Sequence, residues 1–198
     1  MSSRAEATAR PKGFASADLA YIAVFAALLA ALSLAPAVPI GVVPAPITLQ
    51  LVGVALAGLC LGWWRGALAV GLYVLVGLAG LPVFAGGKAG IGVLAGPTGG
   101  YLIAFILAAA LTGAIAQGIV RRGLTVLTPV WFFLACMVAR VLIVWPLGAA
   151  GMARAVPMPF GDAIVLELTF WVPDAVKFAI ASLLAFAVHK AFPRLFIR

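Results

Sequence analysis

Two ionisable residues three positions apart, Asp174 and Lys177, lie in a long apolar stretch near the C-terminus of this chain of 198 residues. Residues three apart in a helix share one face, so this acid and this base are expected to be neighbours. Ionisable groups at bilayer depth are costly, and they normally face the protein interior and serve a function. A carboxylate accepts hydrogen bonds from N–H donors, whereas an ammonium attracts a carboxylate as a point charge. The pair therefore predicts a polar site for a ligand that has an anionic end and neutral hydrogen-bonding groups.

Two more charged residues, Arg140 and Glu167, lie at a comparable depth in the apolar sequence. They allow a purely structural interpretation, in which Asp174 pairs with Lys177 and Arg140 pairs with Glu167 to lock two helices together. Pro173 is expected to loosen the helix just before Asp174, because proline frees a backbone carbonyl. The sequence leaves the structural and the ligand-binding interpretation open.

The other reactive residue types give no catalytic or metal site. Cys60 and Cys136 lie in separate apolar runs without Cys or His spacing around them, so they are interpreted as buried hydrophobic residues. The single histidine, His189, is interpreted as an interfacial flank near the basic C-terminus. The glycine-rich stretch 86–90 lacks phosphate-loop spacing, because Pro82 stands where the first glycine belongs. We therefore predict that the chain is not an enzyme and carries no metal or cofactor.

The composition assigns these residues to a membrane protein. Hydrophobic residues make up 66% of the chain and charged residues 9%, where a soluble domain has about 25% charged residues. The net charge of +8 would also suit nucleic-acid binding. However, the basic residues stand singly or in pairs at the ends of apolar runs, which is typical of membrane topology signals. The sequence predicts an all-α integral membrane protein that contacts lipid and does not bind nucleic acid.

Six apolar segments are predicted to cross the membrane as helices and to form a six-helix membrane domain over residues 17–192. Proline and glycine interrupt the pattern at three longer connections, namely 36–46, 84–100 and 151–161. The six predicted segments are 19–35, 47–63, 66–83, 101–120, 129–149 and 163–192.

The basic residues are divided unequally between the two ends of these segments. Nine of the thirteen lie at one end, whereas only Lys88 and Arg154 lie in the three long connections. Since basic residues stay in the cytoplasm, both termini are predicted to be cytoplasmic, with a disordered segment at 1–16 and a basic tail at 193–198. The long connections then face outward, and they predict an outward-facing pocket, because irregular backbone near lipid needs protein or water partners. The nine residues are Arg4, Arg10, Lys12, Arg65, Arg121, Arg122, Lys190, Arg194 and Arg198.

A stripe of small residues runs along the first segment, where Ala23, Ala27 and Ala31 recur every four positions. Such stripes let a second helix approach closely in lipid. In a chain rich in alanine the repeat also arises from ordinary composition. The sequence leaves open whether the stripe is a docking face for an internal helix or for a partner subunit.

Six short motifs are spread along the chain between residues 44 and 177. They are PAPITLQ at 44–50, LAG at 56–58, LG at 61–62, GLPVF at 80–84, GPTGGYL at 96–102 and PDAVK at 173–177. Together they resemble the BioY family, the biotin-specific S components of energy-coupling-factor (ECF) transporters, and the resemblance covers about residues 23–184. This resemblance implies the ECF S-component fold and a high-affinity biotin-binding protein of the bacterial cytoplasmic membrane.

The resemblance also implies a binding site, in a pocket under the first, third and fifth connections between the six segments. These are the three long connections at 36–46, 84–100 and 151–161. Some relatives carry a cation just after the Gly-Gly-Tyr string, whereas this chain has Leu102. Lys88 or Lys177 is therefore expected to meet the biotin carboxylate. The residues that the resemblance implies as ligand contacts are Asp174, Lys177, Lys88, Tyr101 and Gln50.

The partners implied by the resemblance are a transmembrane T subunit and a pair of ABC-type ATPase subunits, which alone would use ATP. The alanine stripe at Ala23, Ala27 and Ala31 would dock the T subunit. The alternatives are an S component for another vitamin, a self-sufficient secondary carrier with Asp174 or Glu167 as proton relay, and a structural membrane subunit. The sequence also leaves a homo-oligomer open.

Overall fold

The computed structural model describes residues 16–41 and 43–192, and these residues form helices joined by irregular connections. The predicted disordered segment at 1–16, apart from its last residue, and the basic tail at 193–198 lie outside the described residues. The α-helices are α1 (Ser16–Leu34), α2 (Gln50–Leu61), α3 (Trp63–Leu78), α4 (Gly99–Arg121), α5 (Thr128–Ala139), α6 (Trp145–Ala155), α7 (Phe160–Leu166) and α8 (Trp171–Ala191).

Four helical stretches are long and apolar enough to cross a membrane. Two of them are α1 and α4. The third joins α5 to α6 through a π-helical turn (Arg140–Val144), and the fourth joins α7 to α8 through a 3-10 turn (Glu167–Phe170). The predicted all-helical membrane fold is confirmed at this level.

The helices α2 and α3 are shorter, with 12 and 16 residues. At the standard rise they span about 18 and 24 Å, less than the hydrocarbon thickness of about 30 Å. Every residue of α2 is buried, so protein rather than lipid surrounds it and its length need not match the bilayer. Gly62 alone joins the two helices, at φ 80°, a backbone conformation that favours glycine.

The connection predicted at 151–161 is shorter in the structure, because the helix continues to Ala155. Gly151 lies inside this helix and packs against α4, where an added Cβ would lie 2.6 Å from the backbone nitrogen of Gly100. This glycine therefore serves close packing of two helices, although the sequence suggested a break. The segment predicted at 47–63 also starts late, because Ile47 pairs with Val38 through two backbone hydrogen bonds of 2.9 Å.

The core lies between α1, α2, α3, α4, α5 and α8. A smaller cluster connects residues 43–45 with α6, α7 and Phe170. At the end of the molecule away from the long connections, Asp18 pairs with Arg65 at 2.8 Å. The interpretation of His189 as an interfacial flank was wrong, because its ring is buried with Nε2 2.8 Å from the carbonyl oxygen of Leu59.

Candidate ligand-binding site

A cavity opens between α2, α4, α8 and the connections before α2 and before α4. Its volume, counted together with its open mouth, is about 610 Å³. All five residues that were predicted as ligand contacts line it. The polar wall consists of Thr48, Gln50, Lys88, Thr98, Tyr101, Asp174 and Lys177. The apolar wall consists of Ala45, Pro46, Ile47, Leu51, Phe84, Ala85, Val93, Leu102, Phe105 and Phe170.

Asp174 stands between two cations in this wall. Lys177 Nζ lies 2.9 Å from its Oδ1, and Arg140 Nε donates to its Oδ2 at 2.8 Å. The pair Asp174–Lys177 on one helix face is therefore present as the spacing predicted. The structural interpretation expected Arg140 to pair with Glu167 alone, but Arg140 contacts both carboxylates.

Glu167 extends this network behind the cavity. Its Oε2 accepts a hydrogen bond from Arg140 Nη2, and its Oε1 accepts one from the Tyr101 hydroxyl. Two carboxylates thus balance two cations, which lowers the cost of placing charges in the membrane. Because its hydroxyl proton is donated to Glu167, Tyr101 offers a ligand its ring, which packs 6.3 Å from the ring of Phe170.

The amide of Gln50 is fixed by two neighbours. Thr48 Oγ1 donates to its Oε1 at 2.9 Å, and its Nε2 donates to the Tyr73 hydroxyl at 2.7 Å. The Tyr73 oxygen in turn lies 2.9 Å from Ser33 Oγ of α1. An amide has two N–H groups and two lone pairs, so Gln50 keeps one of each for a ligand in a fixed direction.

Lys88 is exposed at the mouth of the cavity, at the end of a tight turn. The turn is closed by a hydrogen bond of 3.0 Å from Phe84 N to Lys88 O, and Gly86 and Gly87 adopt φ values of 72° and 71° within it. Phe84 anchors the turn, because its buried ring packs edge-on at 5.6 Å against Tyr73. Among the described residues, Lys88 makes no ion pair, so its charge is available to a ligand.

One expectation about the pocket was wrong. The fifth connection, at 156–159, supplies no lining residue among the described ones, and its Met158 instead packs in the smaller apolar cluster. Phe170 lines the cavity, whereas the next residue, Trp171, packs edge-on against Trp145 at 5.2 Å.

Several lining residues were missed from the sequence. Thr48, Phe84 and Thr98 lie inside the motifs at 44–50, 80–84 and 96–102, so those motifs held a signal for them. Phe105 carried no such signal, because nothing distinguishes it among the 12 phenylalanines of the chain. No cluster of His, Cys, Asp and Glu that could hold a metal ion occurs in the part of the chain that the structure describes.

The sequence and the fold of this chain were compared with those of known proteins. The chain matches the family model of the BioY family over residues 4–194. It belongs to the BioY family. This BioY-family chain is 38% identical over 179 residues to the biotin transporter BioY of Rhizobium etli, covering 90% of this chain and 96% of the relative. It is 36% identical over 181 residues to the biotin transporter BioY of Rhodobacter capsulatus, with 89% and 95% covered.

The fold of this BioY-family chain is also similar to a solved structure. That structure is the crystal structure of the S-component for biotin from an ECF-type ABC transporter, with a TM-score of 0.82 and 27% sequence identity. The match covers 90% of this chain and 95% of the solved one. Family and fold make the chain a transport component rather than an enzyme, and its apolar helices make it a multi-pass protein of the bacterial cytoplasmic membrane.

Proposed function

We propose that this chain is a high-affinity biotin-binding component that mediates biotin uptake across the cytoplasmic membrane. Membership of the BioY family and the likeness to an S-component for biotin support this ligand. The observation that carries the proposal is the cavity itself, in which Asp174, Lys177 and Lys88 share a mainly apolar wall. Biotin has a carboxylate, a ureido group with two N–H donors and one carbonyl, and an apolar thioether ring. The wall offers a partner to each of these groups.

The charges of the site give the ligand an orientation. At the inner end, Asp174 and Lys177 belong to a network whose charges balance, which suits the neutral ureido group. Asp174 keeps lone pairs for ureido N–H groups, and Lys177 has two N–H donors left for the ureido carbonyl. At the mouth, Lys88 suits the carboxylate, because it forms no ion pair with any residue that the structure describes. Lys88 rather than Lys177 is therefore the expected partner of the biotin carboxylate.

We propose further that all six helical segments cross the membrane, with both termini in the cytoplasm and the cavity facing outward. The basic residues support this orientation, since nine of the thirteen belong to one side in that arrangement. The long connections at 35–49 and 79–98 border the cavity, whereas Gly62 and the short stretch 122–127 form the links at the other end.

For energy coupling we propose a transmembrane T subunit and ABC-type ATPase subunits as partners. The likeness to an S-component from an ECF-type ABC transporter supports them. Ala23, Ala27 and Ala31 are all exposed on α1, while the opposite face of that helix is buried through Ile22 and Leu29. An exposed stripe of small residues favours docking of a partner helix over packing against an internal one.

The binding proposal is tested with purified protein in detergent and labelled biotin. We expect saturable binding by the unchanged chain, and a loss of at least about tenfold in affinity for Asp174→Asn and for Lys177→Ala, about 1.4 kcal/mol. The control is Asp162→Asn, since this acid lies exposed on α7 and does not line the cavity. Absence of saturable binding at submicromolar biotin would remove the biotin proposal. Unchanged affinity in both cavity variants would move the site elsewhere.

The same preparation separates the alternatives of another vitamin and of a carrier without partners. Thiamine or riboflavin displacing labelled biotin at equal concentration would favour a different vitamin. Uptake into vesicles that contain this chain without any ATPase, abolished by an uncoupler, would favour a secondary carrier. In the described structure Glu167 does not line the cavity, which gives a ligand no direct contact with that carboxyl group.

A further inference from the structure

Two buried charged residues remain outside the proposed contacts with biotin. Arg140 is 1% exposed and Glu167 is 0% exposed, and neither lines the cavity. Each of them nevertheless contacts a residue that does. Arg140 contacts Asp174 of α8, and Glu167 contacts Tyr101 of α4.

The two residues connect three helical stretches. The guanidinium group of Arg140 joins the α5–α6 stretch to the α7–α8 stretch, and the carboxylate of Glu167 joins the α7–α8 stretch to α4. Arg140 Nε donates to Asp174 Oδ2 at 2.8 Å, and its Nη2 donates to Glu167 Oε2. The guanidinium is planar, with its donors in a rigid fork, so it fixes two carboxylates relative to each other. Tyr101 is fixed in turn, because its hydroxyl donates to the other oxygen of Glu167.

The backbone is irregular at both residues. Arg140 opens the π-helical turn between α5 and α6, and Glu167 opens the 3-10 turn between α7 and α8. π-helical turns inside α-helices occur frequently at functional sites, and they change the direction of the side chains that follow. The π-helical turn and the 3-10 turn therefore begin at Arg140 and Glu167, the two buried charged residues that contact the cavity wall from its outer side.

We propose that Arg140 and Glu167 are positioning residues that give the site its selectivity for a ligand with free ureido N–H groups. The inference rests on the proposed function, in which Asp174 accepts hydrogen bonds from biotin. With Lys177 on Oδ1 and Arg140 on Oδ2, the carboxylate plane of Asp174 cannot rotate, and its remaining lone pairs keep one direction. Without Arg140 only one oxygen is held, and the terminal torsion of an aspartate has a broad, two-fold preference.

Selectivity follows from this fixed direction. A ligand that lacks the N–H leaves a buried acceptor unpaired, and a site built to bind that N–H rejects such a ligand strongly. An Asp174 that can turn away loses less when the N–H is missing. Loss of Arg140 should therefore reduce the affinity for biotin. It should also reduce the discrimination between a ligand that has the ureido N–H and one that lacks it.

The test compares biotin with a biotin analogue methylated at one ureido nitrogen, which lacks that N–H. The variant is Arg140→Met with Glu167→Gln, which removes one cation and one anion and keeps an acceptor for the Tyr101 hydroxyl. We expect the ratio of the two dissociation constants to fall at least tenfold relative to the unchanged chain. The control is Arg65→Met with Asp18→Asn, which removes a second buried arginine–carboxylate pair of the described residues, remote from the cavity, and should leave the ratio unchanged.

A second variant covers the case in which the double variant does not fold. Arg140→Lys keeps a cation between the two carboxylates but not the rigid fork, and we expect the ratio to fall at least threefold. An unchanged ratio in folded protein, or an equal loss of affinity for both ligands, would overturn the inference while biotin binding stands. If the unchanged chain binds no biotin, the proposed function fails first and the inference fails with it. If Asp174→Asn binds biotin normally, Asp174 is not a ligand contact, and the inference fails while biotin binding stands.

Discussion

Asp174 holds two cations in the structure, Lys177 on one carboxylate oxygen and Arg140 on the other. A carboxylate has about four lone-pair sites, so two of them remain for N–H donors of a ligand. Structural pairing and ligand binding were alternatives when only the sequence was considered. At the scale of the residue they are compatible, because the pairing fixes the carboxylate and the cavity exposes it. Lys88 differs from this group, since it stands at the mouth and no acid in the described part of the chain pairs with it.

At this scale we predict a selective effect of Lys88→Gln. Affinity for biotin should fall about fivefold, because an exposed ion pair contributes up to about 1 kcal/mol. Affinity for biotin amide, which has no carboxylate, should stay the same. Competition binding with both ligands measures the difference. Lys190→Gln, near the other end of the molecule, is the control, and equal losses for biotin and its amide would show that Lys88 does not meet the carboxylate.

At the scale of the element, the site depends on helices that approach closely and that depart from regular geometry. The π-helical turn and the 3-10 turn bring Arg140 and Glu167 together behind the cavity. Gly148 of α6 makes room for this contact. A Cβ at its position would lie 2.6 Å from a ring carbon of Tyr101 and 2.8 Å from Glu167 Oε1. The helix α6 thus shapes the site without supplying a lining residue among those described.

We predict that Gly148→Ala weakens biotin binding about tenfold, because the new methyl group must displace Tyr101 or Glu167. Isothermal titration of purified protein gives the affinity. The matched control is Gly118→Ala in α4, since an added Cβ there meets no described atom within 4 Å outside its chain neighbours and its own helix backbone, and alanine is favoured over glycine in helices. Normal affinity of Gly148→Ala would mean that the Tyr101–Glu167 contact tolerates displacement.

At the scale of the whole molecule, the two ends of the helical domain differ. One end carries the short links at Gly62 and 122–127, and the other carries the connections at 35–49 and 79–98 that border the cavity. The helix α2 passes through the centre and is buried along its full length. In the proposed orientation this arrangement places the cavity at the outer membrane surface, which suits capture of a ligand from outside.

Cysteine labelling tests this orientation. Ile91→Cys and Val126→Cys each place a thiol at an exposed position, 74% and 91% exposed, at opposite ends. We expect an impermeant maleimide to label Ile91→Cys in intact cells and Val126→Cys only after permeabilisation. The native Cys60 and Cys136 are buried and give the unlabelled background. The reverse pattern would invert the proposed topology, and labelling of both in intact cells would refute it.

The sequence by itself determined the properties that depend on local pattern. Apolar runs and basic flanks predicted a helical membrane protein, and the helical spacing predicted that Asp174 and Lys177 are neighbours, as the distance of 2.9 Å confirms. The motifs at 44–50, 96–102 and 173–177 pointed to stretches that all meet at the cavity. Each of these inferences needs only residues within a few helical turns of one another.

Only the tertiary structure decided the contacts between distant parts of the chain. Arg140 reaches Asp174 across 34 positions, Tyr101 reaches Glu167 across 66, and His189 reaches the backbone of α2 across 130. Local sequence does not fix these partners, because they depend on how helices pack and on how the π-helical and 3-10 turns rotate the side chains that follow. For the same reason the sequence showed which residues could carry charge into the membrane, but not that Arg140 and Glu167 would contact two residues of the cavity wall.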